Sequence, residues 1–158
     1  MTLLCPYSRN GRLFGQVSQV LNLDFPYTGP TTGSTEARDK GTALHAMIDC
    51  RLTTGMKSGH PEMAQFEAFL ADHPFLTAVM HERPIFSETH GIAGTPDAIF
   101  YCAETDRYVL ADWKRIRGLY PSSAVRYQMQ LNLYKQFVLE DLGMKIDDMV
   151  HILFYYIW

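Results

Sequence analysis

Two aspartates and a lysine stand close together in an apolar stretch of this 158-residue chain: Asp97, preceded by Pro96, and then Asp112-Trp113-Lys114. Side chains at i and i+2 of a β-strand share a face, about 6–7 Å apart. Asp112 and Lys114 then point the same way and Trp113 the other. If the two segments pair around Cys102–Arg107, Asp97 comes close to Asp112. Converging carboxylates are costly without a counter-charge, and a divalent cation supplies one. Oxygen-rich donors with open water positions favour Mg2+ or Mn2+ over zinc. An aspartate at an exposed strand end is usually just solvated, and D-x-K recurs by chance. The weight comes from context: Pro-Asp on the preceding strand, at hairpin distance, in an otherwise apolar sheet.

Further polar residues fall in order around this pair: Gly41-Thr42-x-x-His45, Gly94-x-x-Asp97, Asp112-x-Lys114 and Gln130-x-x-x-Tyr134. Taken together they resemble the PD-(D/E)XK nuclease superfamily in its RecB-like exonuclease branch. That branch includes CRISPR-associated, helicase-linked, mitochondrial genome-maintenance and viral enzymes. The resemblance spans Gly41 to Tyr134. It implies an α/β, restriction-endonuclease-like core: a central mixed β-sheet, built from a three-stranded antiparallel meander plus a later strand, flanked by α-helices.

The resemblance also implies roles. His45, Asp97, Asp112 and the backbone carbonyl of Trp113 would hold one or two Mg2+ or Mn2+ ions. Lys114 would orient or activate the attacking water and steady the phosphorane. Gln130 and Tyr134, one helical turn apart, would contact the scissile strand or brace the site, and Glu82 is a supporting acidic residue on the first strand. Gln128 offers a second register for the glutamine, but the spacing to Tyr134 selects Gln130. Iron–sulfur members carry a cysteine before the histidine helix and a cluster near the C-terminus; Cys5 lacks such partners, so no cluster is expected.

The implied activity is metal-dependent hydrolysis of phosphodiester bonds in DNA, as an exonuclease on ends or single strands. A helicase, polymerase or other replication, repair or viral protein is the kind of partner implied. Two other readings stay open. Cap-snatching RNA endonucleases also combine a helical histidine with P-D and (D/E)-x-K. A scaffold that lost catalysis would bind nucleic acid or act in assembly, although such chains usually lose an acidic ligand or the lysine.

The elements that must position these residues follow from periodicity. Residues 1–40 are punctuated by glycine and proline and read as short extended pieces and loops ahead of a 41–158 core, in one domain. Leu44, Met47, Ile48 and Leu52 form one stripe of a helix from Gly41. A second helix opens at Pro61, turns Met63, Phe66, Phe69 and Leu70 inward, and ends before Pro74. Met80–Glu88, Ala93–Cys102 and Arg107–Lys114 read as the meander. Ser122–Leu142 is helical through Val125, Met129, Leu133, Phe137 and Val138, with Gly143 as its stop, and Met149–Ile157 is a last buried strand.

Composition excludes more than it selects. Net charge is −3, with 47% apolar and 20% charged residues, so bulk charge does not drive binding to nucleic acid. A local groove is still expected, because Lys114, Arg115, Arg117 and Arg126 follow one another with Tyr120 and Tyr127 interleaved. Three distant cysteines without C-x-x-C signal neither a disulfide framework nor zinc. No apolar run is long enough to span a membrane, and no secretory leader is evident, so an intracellular location is expected.

Overall fold

The computed structural model describes residues 5–26, 35–116, 118 and 120–155, with the backbone alone for Ala37 and 148–155. In chain order the strands are β1 (Tyr7–Arg9), β2 (Arg12–Gln16), β3 (Leu76–His81), β4 (Ile85–Ser87), β5 (Ile92–Gly94), β6 (Ala98–Cys102), β7 (Arg107–Ile116) and β8 (Ile146–Tyr155). The helices are α1 (Val17–Asp24), α2 (Thr35–Thr54), α3 (Ala64–Asp72), entered through a 3-10 turn at Pro61–Met63, and α4 (Pro121–Leu142). Among the described residues, no helix is long and apolar enough to cross a membrane.

Strict alternation along β6 and β7 divides their side chains between two apolar layers. Ile99 and Leu110 face Val17, Leu21, Leu131, Phe137 and Val138 of α1 and α4. Phe100, Ala111 and Trp113 face Leu44, Ile48, Met63 and Phe66 of α2, the 3-10 turn and α3. Trp113 is 1% exposed and meets Phe66 edge to face at 5.2 Å. Burying a ring of that size stabilises by on the order of 4–6 kcal/mol, an upper bound.

The sheet between these layers has the order β3-β6-β7-β8. The first three strands are antiparallel neighbours, and β8 lies parallel to β7. A parallel neighbour requires a crossover, and α4 provides it. The architecture is mixed α/β with helices on both faces, and a later strand does join three antiparallel ones. They are not the expected meander: β4 and β5 of a second sheet intervene between β3 and β6. A second mixed sheet, β1-β2-β5-β4, curls beside it over Phe14, Phe86 and Ala93.

Several expectations are corrected. Over residues 5–26 and 35–40 the segment before residue 41 is more regular than its punctuation suggests, and 27–34 lie outside the described residues. Asn10 and Gly11 both have positive φ (51° and 78°), the turn that closes the β1–β2 hairpin, and α1 follows directly. Helix α2 begins at Thr35 rather than Gly41, its first turns carrying a Glu36–Lys40 pair one turn apart. The long apolar runs at 80–88 and 93–102 are each split between the two sheets, at 82–84 and 95–97. Hydrophobicity continues through both breaks because either side is buried, while Pro84 and Pro96 lack the N–H a ladder needs. Pro96-Asp97 thus lies in a connection, just before β6. Val125 is 51% exposed; α4 instead buries Leu131, Tyr134, Phe137 and Val138. The last strand starts at Ile146, and 156–158 lie outside the described residues.

Candidate metal centre

Register positions the acidic residues before any side chain is considered. Pairs Ala98↔Ala111 through Cys102↔Arg107 place Asp97 opposite Asp112 when continued by one step. On the other flank, His81↔Ala98 continues to Glu82 opposite Asp97, and the Glu82 N–H donates to the Asp97 carbonyl at 3.1 Å. Glu82, just past the end of β3, and Asp97, just before β6, therefore fall in a row with Asp112 in the middle of β7. The Asp97 carboxylate is fixed within it: Oδ2 accepts the Trp113 N–H at 2.5 Å.

Helix α2 closes the row. Leu44 and Ile48 are buried beneath it, which leaves His45 at the helix edge facing the strand ends. His45 Nδ1 lies 3.3 Å from Asp97 Oδ1 and 3.5 Å from Glu82 Oε1. One donor atom from each of the three residues falls within 4.8 Å of the others. Two donors in adjacent positions of a divalent ion's shell are about 3.0–3.6 Å apart, so one imidazole nitrogen and two carboxylates fit such an ion, with room for water. The spacing admits more than one divalent cation.

The membership of this group differs from expectation. Asp112, expected as a ligand, is 1% exposed and its Oδ2 is paired with the Lys114 ammonium at 2.5 Å. Both side chains sit on one face of β7, as their i, i+2 spacing required. Glu82, expected only as support, takes the third place. Trp113 contributes its N–H to Asp97.

Electrostatics show how the charges of the cluster balance one another. Burial alone would lower the His45 pKa, but hydrogen bonds to Asp97 and Glu82 outweigh it and push the pKa up to about 10. An imidazolium then carries the positive charge between the two carboxylates. Desolvation pushes Asp112 up to about 6, with Lys114 pulling it down and Asp97 adding to the rise. Burial disfavours the Lys114 ammonium, yet Asp112 and Asp97 hold its pKa above the ordinary lysine range. The lysine is a fixed positive charge, not a base.

Gln130 donates to the Tyr134 hydroxyl at 3.1 Å, and Tyr134 is 5% exposed. Its ring packs directly on Gly94: a Cβ there would stand 2.5 Å from Tyr134 Cε1. This contact gives the Gly94-x-x-Asp97 spacing a physical reason, since the strand before Asp97 must approach α4 closely. Gly94→Ala is expected to lower stability by about 1–3 kcal/mol through overpacking, read as a fall in the urea midpoint. An unchanged midpoint would show that Tyr134 yields freely.

The expected basic groove is largely spent on internal contacts. Arg115 makes a two-pronged pair with Glu62 at 3.1 and 3.2 Å, tying β7 to the 3-10 turn. Arg126 donates to the carbonyls of Phe25 and Ser18 at 3.0 and 3.3 Å, tying α4 to α1. Arg117 lies outside the described residues. Lys114 Nζ also lies 5.4 Å from the Tyr127 ring centroid, and Tyr120 is 46% exposed. One pair escaped the sequence reading altogether: His81 Nδ1 and Asp49 Oδ1 are 2.5 Å apart. Its only sequence signal is that Asp49 follows His45 by one helical turn.

No family model and no curated protein matches the chain.

Proposed function

We propose that this chain is a Mg2+- or Mn2+-dependent nuclease that hydrolyses phosphodiester bonds of DNA, acting as an exonuclease on ends or single strands. The observation that carries the reading is the row of Glu82 and Asp97, at the ends of β3 and β6, and Asp112 of β7, with His45 above it and the Lys114 ammonium beside Asp112. The resemblance of its motifs to the RecB-like PD-(D/E)XK nucleases supports the same reading, including a restriction-endonuclease-like core. That part is analogy from fold and motif.

A divalent cation held by His45, Glu82 and Asp97 would supply Lewis acidity toward a non-bridging phosphate oxygen and lower the pKa of a bound water. Asp112 is the carboxylate on which a second ion would draw. The protein's own share is positional. Asp112 holds Lys114, and Lys114, kept protonated, steadies the extra negative charge of the pentavalent phosphorane and orients the water. The Trp113 N–H keeps the Asp97 carboxylate from rotating away. Tyr134, braced by Gln130, supports the connection that carries Asp97.

Matched end-labelled linear DNA, closed circular DNA and RNA, each with Mn2+ or with chelator, test this proposal. Shortening of linear DNA from its ends, only with the cation, is the expected outcome. Cleavage of the circle would make the enzyme an endonuclease, and preference for RNA would favour the cap-snatching-like reading. Stabilisation by Mn2+ with no cleavage of any substrate would favour a catalytically inactive binding or assembly module. On the nuclease reading, partners are nucleic acid and the replication, repair or viral proteins that present its ends.

A further inference from the structure

We propose that the Asp49–His81 pair is a positioning lock that sets where Glu82 stands in the cation site. The inference rests on the metal-centre reading and extends it to two residues outside the donor group. Consecutive strand residues normally point to opposite faces. Yet His81 and Glu82, at the end of β3, both reach α2: His81 meets Asp49 at 2.5 Å, and Glu82 meets His45 at 3.5 Å. Alternation fails here because Glu82 has φ 45°, in the left-handed region that a side chain with a Cβ rarely adopts.

A strained residue persists only where its surroundings over-determine it. Two restraints do so at Glu82. Its N–H is bonded to the Asp97 carbonyl, and the residue just before it is clamped to α2 by Asp49. His45 and Asp49 lie one turn apart on the same helix face, so the clamp fixes the spacing between the two surfaces that supply the donors. Asp49 and His81 are positioning residues: neither belongs to the donor group, and both act through Glu82.

Hydrogen exchange of the cation-free protein reads the lock directly, and Mn2+ titration calorimetry reads its consequence. In Asp49→Ala, the Glu82 amide is expected to exchange at least tenfold faster, with amides in the middle of α4 unchanged. Mn2+ affinity is expected to fall about 10–100-fold. Asp49→Asn, which keeps an oxygen acceptor, should fall between. In a Glu82→Ala background, Asp49→Ala should cost little further affinity, because its effect passes through Glu82. Unchanged Glu82 exchange, or an equal loss of affinity in both backgrounds, would overturn the lock. If the unmodified chain binds no Mn2+ while Glu82 exchange still responds to Asp49→Ala, the metal-centre reading falls and the clamp stands.

Discussion

Lys114→Met is expected to lower cation-dependent DNA cleavage by at least about 10³-fold, or roughly 4 kcal/mol of transition-state stabilisation. The lysine contributes a preorganised positive charge, held by Asp112 at 2.5 Å and kept protonated by Asp112 and Asp97. The same substitution leaves a 1% exposed carboxylate without its partner. Breaking such a pair from one side costs about 3–5 kcal/mol. Burial outweighs the lysine and pushes the Asp112 pKa up to about 6, and loss of the lysine raises it further. The destabilisation should therefore be larger at pH 8, where the lone carboxylate must ionise, than at pH 5, where it can stay protonated. Asp112→Asn/Lys114→Met removes both charges and should recover most of the stability while remaining inactive. Urea unfolding beside end-labelled cleavage separates the two effects. Activity within tenfold of the unmodified protein, in a folded Lys114→Met chain, would remove the lysine from the mechanism.

Mn2+ affinity is expected to rise about tenfold for each pH unit between 7 and 9. In the cation-free protein, His45 keeps its proton up to about pH 10, so a cation that takes its nitrogen must displace that proton. One proton released corresponds to one decade per pH unit, about 1.4 kcal/mol. Between pH 7 and 9 this linkage acts on the cation-free fold alone. A histidine whose pKa is raised on folding stabilises the cation-free fold fully below its unfolded pKa of 6.5, and that contribution is lost as pH rises through about 10. The cation-loaded fold, whose His45 carries no proton, gains only up to about the unfolded pKa and is level above it. The Mn2+-induced rise in Tm should therefore widen from pH 7 to 9 as the cation-free fold loses stability. Calorimetry in buffers of different ionisation enthalpy counts the released proton. His45→Ala should bind more weakly with a flattened slope. A pH-independent Mn2+ affinity in the unmodified chain would show that His45 is not a ligand.

How much of this was legible beforehand differs between the two kinds of contact involved. The Asp97–Asp112 approach was readable because a short hairpin turns sequence separation into register, and the i, i+2 rule put Lys114 on the Asp112 face. The α2 stripe and the Gly143 stop were readable for the same reason, as local periodicity and backbone permissiveness act on neighbouring residues. The sheet switches at 82–84 and 95–97 were not, because burial on either side leaves the apolar run unbroken. Spacing alone turns Val125 inward, whereas α4 seats Tyr134 on Gly94 and leaves Val125 exposed.

By itself, the chain's order of residues determined the inventory: the acidic pair, the lysine, the histidine helix and the strands that carry them, all products of short-range geometry. Tertiary structure decided the allocation. It drew Glu82 toward His45, tied Asp49 to His81, and used Arg115 and Arg126 to fasten elements together. Those outcomes depend on which partner, an opposite charge or for Arg126 a backbone carbonyl, arrives from a distant segment. In a low-dielectric interior each charge must be matched by whatever partner the fold delivers.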